Sequence, residues 1–213
     1  MGGVSGSLFW KQSAPEADTL FRAVVCARGW EVRDLPDQKW NSATATISGI
    51  RDHLLCYVGP SGDGWFGILL ASGHDRTLGL NDADLIACEL SRRQSGPVIL
   101  FSEVDQSAWG YELFVNGQSL DWFWNRPPDT GPPTTKNGNV SLLASTFGVA
   151  PETIAPYLQP IDWSEFPGTA FPDDEYELTD HWVRVDFMRR LGIHHPCPSS
   201  GVGRHMQVRR ADS

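Results

Sequence analysis

The dipeptide Asn116-Gly117, set between two apolar runs, is the feature that most constrains the fold of this chain. The runs are Tyr111 to Val115 and Leu120 to Trp124. Asn-Gly between such runs is a strong signal for a β-hairpin, because both residues tolerate the positive φ angles of a tight turn. A second hairpin is predicted from Leu54 to Val58 and from Trp65 to Leu70, which a Gly-rich turn joins. Two hairpins predict a mainly antiparallel sheet.

A helical segment precedes each hairpin, so the first two-thirds of the chain repeats one pattern. Ser13 can cap the first helix and Gly29 can end it. Asn81 can cap a second helix over residues 82–93. Further strands are predicted at residues 30–32, 43–50 and 98–101. The predicted fold class is α+β: a mainly antiparallel sheet with two helices packed on one face, followed by a mostly helical and irregular C-terminal third.

Changes in composition along the chain predict its domain organisation. Residues 1–125 are expected to form an α+β sandwich core, and residues 126–139 a loop or linker rich in Pro and Gly. Residues 140–198 are expected to form a helical C-terminal part packed on the core, and residues 199–213 a mobile tail. The helices of the C-terminal part are predicted at residues 140–147, 151–158 and 180–191.

The last of these helices has a competing interpretation as a strand. Val183, Val185 and Phe187 alternate with charged residues as in a strand, whereas Val183, Phe187 and Leu191 share one helix face. Arg residues near the end and Gly192 after it favour the helix.

Composition bears on compartment and partners. The formal net charge of −9 argues against nucleic acid as a partner, because phosphate binding relies on Lys and Arg. The four cysteines are far apart along the chain and suit reduced thiols better than disulfides. The N-terminus lacks the pattern of a signal peptide, and no apolar run reaches the length of a membrane span. A soluble, cytoplasmic protein that uses no membrane is therefore expected.

The stretch FPDDEYELTDHWVRVDFMRRLG, residues 171–192, concentrates negative charge. Between Asp162 and Asp186 there are eight acids and one base, Arg184. Calcium is disfavoured because the run lacks the DxDxDG order and the glycine of a calcium loop. Paired catalytic carboxylates are disfavoured because neighbours in one run rarely face each other across a cleft. A charged surface for a basic partner and a merely solvated loop both remain open.

Aromatic residues are interleaved with these acids, as expected of a protein-binding surface in which aromatic side chains act as anchors. Nine tryptophans in 213 residues also make the chain Trp-rich. The predicted binding residues are Asp173, Asp174, Glu175, Tyr176, Glu177, Trp182, Trp163, Trp109 and Trp122.

Two other groups of residues could carry chemistry. Glu103 and Asp105 follow a predicted strand, where carboxylates beside aromatic residues could act as acid or base on a small molecule or glycan. His194, His195 and Cys197 form the most metal-like cluster, although no second ligand pair lies at zinc-site spacing. The sequence predicts no cofactor.

The sequence therefore predicts a non-enzymatic module that binds a basic protein through an acidic, aromatic surface. In its small size, acidity and Trp-rich α+β composition the chain resembles bacterial immunity proteins. That resemblance implies neutralisation of a toxin by binding. The alternative is a small-molecule or glycan-acting enzyme that uses Glu103 or Asp105.

Overall fold

One antiparallel sheet organises the molecule. The computed structural model describes residues 4–35, 53–62, 64–72, 80–104, 108–125, 138–159, 167–195 and 204–210. In these ranges the sheet has eight strands, in the spatial order β2-β8-β3-β4-β1-β5-β6-β7. The strands are β1 (Val4–Lys11), β2 (Trp30–Asp34), β3 (His53–Pro60), β4 (Trp65–Ser72), β5 (Val98–Val104), β6 (Ala108–Val115), β7 (Gln118–Trp124) and β8 (Arg204–Arg210). The predicted α+β class is confirmed.

The four α-helices lie where the sequence predicts helices, but the helix predicted at residues 151–158 is wrong, because two short 3-10 turns occupy that range. The helices are α1 (Ala14–Cys26), α2 (Leu80–Gln94), α3 (Val140–Phe147) and α4 (Val183–Arg190), with short 3-10 turns at Pro151–Thr153 and Ala155–Leu158. The α2 helix begins one residue before its predicted cap, Asn81. The helical interpretation of the last segment is correct, and the strand interpretation is wrong.

Both faces of the sheet are covered by apolar side chains. On β1, Leu8 and Trp10 join the core beneath α1 and α2, whereas Phe9 joins a second core beneath the C-terminal layer. Alternation along a strand sends neighbouring side chains to opposite faces, which explains why this run is apolar throughout. We call the first the helix face and the second the C-terminal face. The C-terminal face is rich in aromatic residues, with Phe187 of α4 at 5.6 Å from Trp109 and from Tyr157 between ring centroids.

The hairpin of β6 and β7 has the predicted two-residue turn. Asn116 and Gly117 have φ angles of 52° and 77°, and Val115 pairs with Gln118 across the strands. Both positive angles are those of a type I′ turn, which matches the twist of paired strands. The turn docks on α2, because the Gly117 N–H donates to Ser91 Oγ at 2.9 Å. The second predicted hairpin, β3 with β4, is also present.

The described part of the predicted mobile tail, residues 204–210, is a strand. Residues 204–210 form β8, which lies between β2 and β3 and pairs with both. Met206 and Val208 are buried on the helix face. Only these two apolar side chains mark the strand, in a basic context, so its sequence pattern is too short to separate from a solvated tail. Backbone pairing with β2 and β3, which lie far away in the sequence, is what stabilises the strand conformation.

Some predictions lie outside the described residues. They include the strand predicted at residues 43–50 and most of the loop predicted at residues 126–139. Within the described helices, none has the length and apolar character needed to cross a bilayer.

Candidate functional site

The acidic stretch folds back onto α4, and part of its charge is neutralised there. The side chain of Asp174 is buried and accepts hydrogen bonds from the Tyr157 hydroxyl at 2.6 Å and from the Phe171 N–H at 3.0 Å. Arg190 of α4 donates to it at 2.5 Å, and Arg189 at 3.1 Å. Asp174 therefore fastens the loop to the helix and is wrongly predicted as a surface residue.

Two further aspartates belong to the same network. Buried Asp186 accepts from the N–H groups of Glu175 and Tyr176, at 3.0 and 2.9 Å. Asp173 is exposed but accepts from Arg190 at 2.7 Å. The hydrogen bond from Arg190 lowers the pKa of Asp173. Because carboxylates and backbone N–H groups pair in this way, most of these aspartates have a structural role.

Exposed charge remains in the same segment around one aromatic residue. Glu175 and Glu177 are exposed, and so is much of the Asp180 side chain. Trp182 stacks on Tyr176, which lies between the two glutamates in the chain. It is 39% exposed, one of three exposed large hydrophobic residues in the described part of the chain. We call Glu175, Tyr176, Glu177, Asp180 and Trp182 the Trp182 patch. An exposed tryptophan among acids is a combination typical of binding surfaces.

The Trp182 ring is held from several sides. Tyr176 stacks on it with ring centroids 6.2 Å apart, and the Arg184 guanidinium lies 4.6 Å from its centroid. His181 and His195 contact it at 5.5 and 6.1 Å. A cation over an indole face and a stacked ring each favour one orientation. The exposed ring is therefore largely fixed before any partner arrives.

Beneath the patch, the end of β5 meets α4 in a buried ion pair. Arg184 Nη2 lies 2.8 Å from Glu103 Oε2, and both side chains are largely buried. His181 Nε2 lies 3.6 Å from Glu103 Oε1, while His181 Nδ1 lies 3.2 Å from Asp180. Burial lowers the pKa of Arg184, and the Glu103 charge opposes that effect. The fold thus joins the predicted catalytic carboxylate to the predicted binding segment.

His181 and Arg184 are missing from the sequence-based predictions. One signal was available for Arg184, because it is the sole base among eight acids between residues 162 and 186. No comparable signal marks His181. Its partner Glu103 is distant in the chain and comes close only through packing of α4 on the sheet.

The remaining predicted residues are scattered. Trp109 is 1% exposed and packs between Phe123 and Phe187, so its predicted surface role is wrong. Trp122 is half-buried on the helix face. The acidic stretch lies on the opposite face of the sheet. Trp163 and Asp105 lie outside the described residues.

His194 and His195 of the predicted metal-like cluster do not form a metal site with other described residues. His194 is exposed, His195 contacts Trp182, and Cys197 lies outside the described residues. Within the ranges that the structure describes, no group of three or more His, Cys, Asp or Glu side chains could hold a metal ion.

A pair of carboxylates on the helix face was also not predicted. Asp84 of α2 and Glu112 of β6 are both half-buried. Burial, and secondly the nearby charge of Glu112, raise the pKa of Asp84 from 3.8 to about 6. Folded Asp84 therefore holds its proton more tightly than the unfolded chain does, and its ionisation opposes folding.

This shift predicts a pH-dependent stability. The favourable contribution of protonated Asp84 is fully present below about pH 4 and is lost as pH rises through 6. We expect Asp84→Asn to raise the free energy of unfolding at pH 7.5 by about 1–2 kcal/mol, after allowance for partial solvent screening. At pH 4 the gain should largely vanish. Urea unfolding at both pH values measures the difference, and an equal gain at both would contradict the raised pKa.

Comparisons with known proteins provide no further guide: no protein-family model, curated protein or solved structure matches the chain.

Proposed function

We propose that this protein is a non-enzymatic binding module that recognises a basic surface of a partner protein through the Trp182 patch. The observation that carries the proposal is the exposure of Trp182 within a rigid aromatic and ionic setting. A ring already fixed in its bound orientation loses little conformational entropy on binding. Large aromatic side chains of this kind provide much of the binding energy at protein interfaces.

Charge supports a basic partner. Glu175 and Glu177 are exposed beside Trp182, whereas Asp173, Asp174 and Asp186 are already engaged by Arg189 and Arg190. Exposed carboxylates accelerate association with a cationic surface and discriminate against acidic ones. A basic toxin protein, neutralised by occlusion of its active surface, is one partner of this chemistry. It agrees with the compositional resemblance to immunity proteins.

The enzyme alternative has weaker support. The two oxygens of Glu103 are directed to Arg184 and His181 respectively. An acid or base in a reaction must have an oxygen within hydrogen-bond reach of the substrate. Both oxygens of the Glu103 carboxylate are engaged in this way. Glu103 is therefore better suited to positioning Arg184 under Trp182 than to acting on a substrate. Glycan or small-molecule chemistry at Glu103 stays a prediction from the sequence.

Substitution of Trp182 tests the proposal. Trp182→Ala removes a partly exposed ring together with its contacts to Tyr176 and Arg184, so stability should fall modestly. Capture of the bound protein from source cells should fall at least tenfold while the chain stays folded. Glu175→Gln with Glu177→Gln should weaken capture about three- to tenfold and reduce its salt dependence. Affinity capture provides the measurement. The unfolding curve of each variant shows that the variant is folded.

Glu152 provides the matched control, because it is an exposed carboxylate in the 3-10 turn at Pro151–Thr153. Glu152→Gln changes the net charge by the same amount as one patch substitution and should leave capture unchanged. A partner that binds Trp182→Ala as well as the wild type would exclude the Trp182 patch as the binding site.

A further inference from the structure

The edge of the sheet formed by β7 differs from the Trp182 patch in position and chemistry. Among the described residues β7 pairs only with β6, so no described strand lies on its outer side. Asp121 and Phe123 face the C-terminal layer, as the Tyr111–Asp121 hydrogen bond and the burial of Phe123 show. Alternation therefore directs Trp122 and Trp124 to the helix face. Leu120 is the extra residue of a β-bulge, because Leu113 pairs with Asp121 and Phe114 pairs with Ser119. An edge strand with large side chains can serve as a template for an added strand.

Exposed apolar side chains occur on β7 and on α2. Leu120 of β7 is 42% exposed and Leu85 of α2 is 46% exposed. The hairpin turn is bonded to α2 through Cys88 and Ser91, which holds β7 beside the helix. These two leucines are the other two exposed large hydrophobic residues in the described part of the chain, besides Trp182.

Trp124 of β7 packs against the sheet. A Cβ on Gly110 would come within 2.6 Å of the Trp124 ring, so the indole lies directly over the glycine backbone. Trp122 is the strand partner of Glu112. The face thus combines one closely packed aromatic ring with a tryptophan that neighbours a carboxylate.

The carboxylates of this face have a like charge as neighbour. Asp84 and Glu112 interact unfavourably with each other, and no Lys or Arg of the described residues forms an ion pair with either. By contrast, Glu89 on the same helix is paired with Arg92 and Arg93. A cation placed between two half-buried carboxylates would remove their repulsion.

We propose that Asp84, Leu85, Glu112, Leu120, Trp122 and Trp124, the α2–β7 surface, bind an extended basic segment of a partner protein as an added strand on β7. Neighbouring strands lie about 4.8 Å apart, so Glu112 on the second strand inward is about 10 Å from the added one. A long Lys or Arg side chain can span this distance across Trp122 to meet the glutamate.

Charge selects this occupant over a second copy of the chain. Pairing of two β7 edges would leave both copies of Glu112 without a cation, because β7 itself contains no Lys or Arg that could reach them. A basic strand meets the same carboxylates with opposite charge. The proposal is independent of the Trp182 patch, which lies with the C-terminal layer on the other face of the sheet.

A model peptide tests the surface directly. The probe is a blocked, fluorescent heptapeptide of alternating lysine and valine, and its counterpart has glutamate in place of lysine. We expect the lysine peptide to bind the full chain in low salt and to slow amide hydrogen exchange in residues 118–124. Glu112→Gln should weaken binding at least fivefold, Asp84→Asn with Glu112→Gln at least tenfold, and Leu120→Ser about threefold.

Controls separate this surface from general acidity. Glu152→Gln and Trp182→Ala should leave peptide affinity within twofold of the wild type, so failure here does not affect the proposal for the Trp182 patch. Equal binding of the glutamate peptide, or equal weakening by Glu112→Gln and Glu152→Gln, would overturn the proposal. So would exchange in residues 118–124 that the peptide leaves unchanged, or self-association of the chain through this edge in place of peptide binding.

Discussion

A chain that ends at residue 203 is expected to lose cooperative folding. The deletion removes β8 from its place between β2 and β3, so both neighbours lose a hydrogen-bonded partner at once. It also removes Met206 and Val208 from the helix-face core. We expect the free energy of unfolding to fall by more than about 5 kcal/mol, which is comparable with the total stability of a small domain. Urea unfolding followed by circular dichroism and tryptophan fluorescence measures this loss.

A point substitution in β8 provides a finer version of the same experiment. Val208 is fully buried opposite Val32, so Val208→Asp places a charge in an apolar core and should cost about 4 kcal/mol or more. Its neighbour Gln207 faces the other side and is half-buried, and Gln207→Ala should cost less than about 1 kcal/mol. Equal unfolding midpoints for the wild type and the truncated chain would contradict the position of β8.

The second large effect is expected from Arg184→Met. This change leaves Glu103 largely buried beside the half-buried His181 but without its guanidinium partner. Breaking a buried ion pair on one side costs about 3–5 kcal/mol, and residual contact with His181 should reduce this to about 2–4 kcal/mol. Trp182 also loses the cation on its ring. Partner capture should therefore weaken along with stability, which urea unfolding and affinity capture measure separately.

Two further variants isolate the contribution of the Glu103–Arg184 ion pair to stability. Glu103→Gln combined with Arg184→Met should recover a large part of the lost stability, because the buried charge that lost its guanidinium partner is then removed as well. Arg92→Met breaks an exposed pair with Glu89 and should leave the free energy of unfolding almost unchanged. An Arg184→Met variant no less stable than Arg92→Met would show that the buried pair does not stabilise the fold.

Local sequence patterns predict the elements whose signals lie within a few residues. The Asn116-Gly117 turn, the two hairpins and α1 to α4 follow from turn chemistry and hydrophobic periodicity. The strand β8 does not, because its alternating pattern contains only Met206 and Val208. Its conformation depends on the unpaired edges of β2 and β3, which are distant in sequence.

The candidate site divides in the same way. The sequence alone identifies an acidic segment rich in aromatic residues, and Trp182 within it. It cannot distinguish Asp174, which is buried and bonded to Arg190, from Glu175, which is exposed. Neighbouring residues with the same charge have identical local signals, and only the docking of the loop on α4 separates their roles.

The sequence by itself therefore determined the class of the fold, its turns and helices, and the segment where acids and aromatic residues meet. Tertiary structure alone decided which acids are neutralised, the approach of Glu103 to His181 and Arg184, and the pairing of Asp84 with Glu112. The physical reason is range. Turn and helix preferences act between residues a few positions apart, whereas ion pairs, burial and strand order depend on groups brought together only when the sheet is complete.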